Sequence, residues 1–157
     1  MVAAMRARSR GFTAVEMVIT VAVVGVLASI AVPASQEMIA KQRVRSAAGD
    51  LLNTLMRTRS FAIKLQVPVT MLPVAQASWQ SGWSVPHPDG NGYLFDARTF
   101  LSQIQITGPA SVVYKSNGRP VTPATAKFQI TGDGTKEVRC VALDLSGLPH
   151  QKKGNCT

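Results

Sequence analysis

Two histidines, two cysteines and eight acidic residues are all that this 157-residue chain offers to metal ligation and acid–base chemistry. His87 and His150 each adjoin a proline in turn-rich sequence. Neither stands beside a nucleophile with an orienting acid, which a hydrolytic triad needs. Cys140 and Cys156 come without a CxxC or a spaced histidine pair, which argues against a zinc site. There is no phosphate-cradling glycine loop and no dinucleotide fingerprint. Asp89-Gly90-Asn91-Gly92 looks like a fragment of a calcium loop but lacks the further carboxylates, so it reads as a turn. No catalytic residues, no cofactor and no metal are expected.

Charge is also missing from one long stretch. Between Phe12 and Pro33 the only ionisable side chain is Glu16, and from Met17 to Val32 only Thr20 and Ser29 interrupt the apolar run. At about 1.5 Å per residue a helix over this segment reaches about 33 Å, against a hydrocarbon core of about 30 Å. The preceding residues carry Arg6, Arg8 and Arg10 and no acid. A secretory signal peptide is the rival reading, and Ala31-Val32-Pro33-Ala34-Ser35 imitates its cleavage site weakly. Glu16 counts against it. A carboxylate costs about 2.5–3.5 kcal/mol at a bilayer centre, and a plain signal peptide has no need of one. A charge kept there implies a specific partner. Arg6, Arg8 and Arg10 before the span nearly balance Lys41, Arg43 and Arg45 after it, so charge alone does not orient the segment.

Beyond Pro33 the composition becomes ordinary, and about 120 residues remain for a domain with a modest core. Val44, Ala48, Leu51, Leu55 and Ala62 recur at helical spacing, flanked by Ala47, Leu52, Met56 and Ile63. Ser46, Asp50, Asn53, Arg57, Ser60 and Lys64 fall on the other face, which predicts an amphipathic helix to about Lys64. Strand patterns follow at Val67–Leu72, with Pro68 pointing to an edge, and at Gln103–Thr107, Val112–Tyr114, Lys127–Thr131 and Glu137–Leu145, the last an interior strand. Pro86 to Gly92, Asn117-Gly118 and Gly132-Asp133-Gly134 are turn signals. The expected fold class is α+β, one long helix and then an antiparallel sheet.

The string Gly11-Phe12-Thr13-Ala14-Val15-Glu16-Met17 closely resembles the prepilin signal of type IV pilin-like proteins. The resemblance implies a leader over 1–11, peptidase cleavage between Gly11 and Phe12, and N-methylation of Phe12. It makes Glu16 the residue that neutralises a neighbouring subunit's amine during assembly, and Pro33 the helix-kinking proline many pilins carry. It also implies a type IV pilin fold, with a transmembrane helix over 12–33, an amphipathic helix over 34–65 and a β-rich head over 66–157. Trp79-Gln80-Ser81-Gly82-Trp83, Ser116-Asn117-Gly118-Arg119-Pro120, Val138-Arg139-Cys140-Val141 and Ser146-Gly147 are similar to motifs of the GspH/FimT subfamily of minor pilins and pseudopilins.

That resemblance implies a structural subunit priming or capping a type IV pilus or a type II secretion pseudopilus. Its partners would be other pilins or pseudopilins, the prepilin peptidase and an inner-membrane assembly platform. Before assembly the chain would be single-pass in the bacterial inner membrane with its head in the periplasm. In that oxidising compartment a Cys140–Cys156 disulfide is expected; the other reading is two unpaired thiols, Cys140 buried and Cys156 exposed.

The net charge of +9 permits anionic partners without choosing among them. Some FimT-type minor pilins bind DNA through a C-terminal G-R-x-R motif. This chain departs there, reading Gly147-Leu148-Pro149-His150, so only Lys152 and Lys153 remain for phosphate contacts and DNA is the weaker alternative partner.

Overall fold

The structure, a computed structural model, describes residues 12–75, 78–99, 103–121 and 125–156. Helix α1 runs over Ala14–Leu65. Among the described residues eight strands follow: β1 Val69–Ala75, β2 Ser78–Pro86, β3 Leu94–Arg98, β4 Ile104–Thr107, β5 Val112–Tyr114, β6 Lys127–Gly132, β7 Val138–Leu143 and β8 Pro149–Lys153. The chain divides after Gln36 into two compact units.

In the first unit, no side chain of the apolar stretch finds cover: Phe12, Val18 and Ile30 are each about seven-tenths exposed. The most apolar 18-residue window has a mean hydropathy of 2.5 and is 0% buried. A core helix of a soluble protein would be buried there. Pro33 lies inside α1, where its ring removes one backbone donor.

In the second unit, α1 turns its apolar stripe to the sheets. Val44, Ala47, Ala48, Leu51, Leu55 and Ala62 are buried, as their spacing predicts. Two threonines share the stripe. Thr58 donates to the Thr54 carbonyl at 2.7 Å and Thr54 to Asp96 at 3.3 Å, so both hydroxyls are satisfied while buried. Met56 and Ile63, expected to flank the stripe, are about 40% exposed.

The strands form two antiparallel four-stranded sheets, ordered β3-β2-β1-β5 and β4-β6-β7-β8. Trp79 of β2 meets Phe128 of β6 edge to face, with centroids 4.9 Å apart, and so joins the two sheets across the core. The Trp79 indole donates to the Pro109 carbonyl at 2.6 Å, which lets a polar ring be buried. β7 is interior, as its apolar run predicts.

The edge placement of the Val67–Leu72 segment is corrected. β1 pairs with β2 on one side and β5 on the other, and Pro68 falls just before the strand begins. Three strands had no strand expectation. β2 contains Gly82, β3 carries Asp96 and Arg98, and β8 reads Pro-His-Gln-Lys-Lys.

Candidate functional site

Two regions bear on function, one at the start of α1 and one in the head. At the start of α1, Thr13 and Glu16 close on each other. Glu16 Oε2 accepts from the Thr13 amide and from its hydroxyl, both at 2.9 Å. Thr13 Oγ1 in turn accepts from the Glu16 amide at 3.3 Å. This is the reciprocal arrangement of a capping box, which satisfies donors a helix start leaves orphaned. It also holds a negative charge at the positive end of the helix dipole. Both bonds fall on Oε2, so among the described residues Oε1 is available to a further donor. The Thr-x-x-Glu spacing was the signal for this device in the sequence. Phe12 immediately precedes it and is 76% exposed. Gly11, the other half of the expected cleavage site, and the leader lie outside the described residues.

In the head, Cys140 and Cys156 form a disulfide, with Cα atoms 5.2 Å apart. It ties the segment after β8 to β7, an interior strand. Lys152 and Lys153, expected inside the loop that the disulfide closes, stand on β8, which pairs with β7. His150, expected in turn-rich sequence, is also on β8. Successive strand residues face opposite ways, so Lys152 and Lys153 start from opposite faces of the sheet. Lys152 lies opposite Cys140, and Lys153 lies opposite Arg139. The cross-strand rows Lys127–Ala142–His150 and Gln129–Cys140–Lys152 put Lys127, His150 and Lys152 on one face.

Two glycine turns meet at the end of the head where α1 finishes. Gly118 and Gly147 both have positive φ, +76° and +83°. A Cβ on Gly147 would lie 2.1 Å from the Gly118 carbonyl oxygen, and one on Gly118 would lie 2.6 Å from Ile63 Cδ1. Arg59 of α1 donates to the same carbonyl at 3.1 Å. Asp144 shapes the second turn by accepting from the Ser146 hydroxyl at 2.6 Å and from the Ser146 and Leu148 amides at 2.9 Å. The Ser146 hydroxyl, then these amides, hold the Asp144 carboxyl below its usual range. The junction ties α1 and both sheets together. It gives the Ser116–Pro120 and Ser146-Gly147 motifs a structural role.

His87 directly follows β2. Its ring packs on Phe95, with centroids 4.6 Å apart, and its Nδ1 lies 3.2 Å from Asp89 in the turn after β2. Among the described residues no group of three or more His, Cys, Asp or Glu side chains could hold a metal.

Comparison with known proteins agrees with this architecture. A fimbrial protein of Pseudomonas aeruginosa is 25% identical over 155 residues, 94% of this chain and 96% of its own. The type IV major alpha-pilin of Moraxella bovis is 43% identical over 42 residues, about a quarter of either chain. Crystal structures of the type IV minor pilin FimU of Pseudomonas aeruginosa share the fold. One has a TM-score of 0.58 at 18% identity, covering 71% of this chain and 92% of that one. The family model for the type II transport protein GspH matches residues 47–147, from the buried half of α1 through the glycine junction. The chain therefore belongs to the GspH family of type IV pilin-like proteins.

Proposed function

We propose that this chain is a minor pilin or pseudopilin that primes or caps a type IV pilus or a type II secretion pseudopilus. Members of its family are structural subunits and not enzymes. The observation that carries the reading is an apolar helix with no cover and one carboxylate, Glu16, at its start. Such a helix is untenable in water but suits a bilayer first and a packed fibre core afterwards.

In this account a prepilin peptidase cuts between Gly11 and Phe12, and Phe12 is N-methylated. Glu16 Oε1 then receives the terminal amine of a neighbouring subunit. In low dielectric each charge relieves the other's desolvation. Pro33 lets the helix bend as it enters the fibre. Before assembly the chain is single-pass in the bacterial inner membrane, its head in the periplasm, in reach of the assembly platform and of other pilins. The test is detection of the chain in sheared fibres by a head-directed antibody. Signal in the membrane fraction but never in fibres from pilus-forming or secretion-active cells would contradict the reading.

A second reading, a DNA-binding minor pilin, draws on the shared face of Lys127, His150 and Lys152. Its test is a gel shift at low salt with Lys152→Ala and Lys153→Ala. DNA contact on this face predicts that Lys152→Ala weakens binding more, and no retardation at low salt excludes it.

A further inference from the structure

The loop between β6 and β7 returns, about ninety residues later in the chain, to the first turns of α1 in the second unit. A Cβ on Gly132 would lie 2.6 Å from Val44 Cγ2, so the end of β6, where this loop begins, is pressed on the helix. Lys136, in this loop, comes near enough to Glu37 for its charge to act on that carboxylate. Lys41 bonds Glu37 at 2.8 Å and holds its carboxyl below the usual range, and the Lys136 charge acts on it in the same direction.

The neighbouring carboxylate, Glu137, is buried and shared. Arg139 reaches it at 2.8 Å and Arg45 at 3.3 Å, so one negative charge faces two positive ones. Arg43 spends its hydrogen bond on Gln103, a neutral amide. Asp133, exposed in the same loop, donates its amide to the Gln103 carbonyl at 3.0 Å. These segments carry five cations, Lys41, Arg43, Arg45, Lys136 and Arg139, against three carboxylates, Glu37, Asp133 and Glu137. Lys41, Arg43, Arg45 and Lys136 keep much of their side chains in solvent.

We propose that this basic collar, Lys41, Arg43, Arg45 and Lys136 with Arg139 behind them, binds anionic phospholipid headgroups and seats the head on the bilayer before assembly. The inference rests on the membrane-anchored reading. Lys41 comes only eight residues after Pro33, so the collar starts close in the chain to the end of the span. A juxtamembrane cluster of Lys and Arg gains from each contact with an anionic surface. Lys136 is the telling member, because only the fold brings it there. Seating would also have to be released when a subunit leaves the membrane, which makes lipid charge a brake on extraction.

The test is amine acylation of the full chain, followed by mass spectrometry, in nanodiscs of phosphatidylcholine alone and with phosphatidylglycerol added. Headgroup contact should slow acylation of Lys136 and Lys41 at least about fivefold in the anionic discs. Lys115, in the turn after β5, should react equally in both, and about 1 M salt should erase the difference. Equal rates for Lys136 in both discs, with the chain incorporated, would overturn the collar and leave the anchor standing. Protection independent of lipid charge would overturn it too. A chain that enters neither disc would overturn the anchor reading and the collar with it.

Discussion

The Gly118 carbonyl oxygen occupies the space where a side chain on Gly147 would begin, 2.1 Å from a Cβ placed there. Two turns from different sheets thus touch backbone to backbone, and Arg59 of α1 bonds the same oxygen. The contact fixes the far end of the head relative to α1.

Gly147→Ala should be strongly destabilising, because it combines a left-handed φ with a backbone clash. Gly134 supplies the control: its φ is +74° but a Cβ there meets nothing within 4 Å. Gly134→Ala should cost only the conformational penalty, about 1–2 kcal/mol, and Gly147→Ala clearly more. Thermal unfolding of both variants checks this, and equal losses would mean the junction contributes nothing.

Reduction of Cys140–Cys156 should lower head stability by about 3 kcal/mol in the chain-entropy model, or Tm on the order of 10 °C. The loop it closes contains β8, whose five residues bury little beyond Pro149, so β8 should be the first strand to lose amide protection. Hydrogen exchange with and without reductant reads this out. Unchanged protection in β8 would show that its pairing with β7 suffices.

Acid should weaken the head through three carboxylates held below their usual range: Glu37 by Lys41, Glu137 by Arg139 and then Arg45, and Asp144 by the Ser146 hydroxyl. A depressed folded-state pKa means stabilisation that is present above the unfolded value, near pH 4, and lost as pH falls through the folded value. Tm should therefore hold at neutral pH and decline below about pH 4, and Glu137→Gln should flatten part of that decline. A Tm that rises on acidification would contradict these assignments.

Gly11→Ala should block processing between Gly11 and Phe12. Intact mass of the membrane-extracted chain reads this directly. A variant that still loses its leader would remove the cleavage assignment.

Much of this architecture was legible because its signals are strong. The stripe from Val44 to Ala62 has one period, and β4, β6 and β7 alternate or run apolar. The strands that were not legible owe their form to partners. β2 is broken by Gly82, whose φ is +104° and whose Cβ would lie 1.8 Å from the Arg98 carbonyl oxygen on β3. The glycine of the Trp-x-x-Gly-Trp pattern is there to admit a neighbouring strand. β3 looks like a loop because Asp96 and Arg98 are charged, yet they pair with Arg57 and Asp50 of α1. β8 has backbone pairing and a disulfide in place of an apolar pattern. The split of Lys152 from Lys153 follows from that strand. At the start of α1, Glu16 stood out as a lone charge, whereas its bond to Thr13 lay in a spacing shared with many soluble helices.

The decisive measurement is the fate of Glu16→Ala in cells that build the fibre. Membrane insertion should be normal, since the substitution only makes the span more apolar, and the chain should be lost from sheared fibres. Glu16→Gln should fail as well, because it keeps the shape but not the charge that meets a neighbour's amine. Incorporation of Glu16→Ala at the level of the unaltered chain would mean that the Glu16 carboxylate plays no part in assembly.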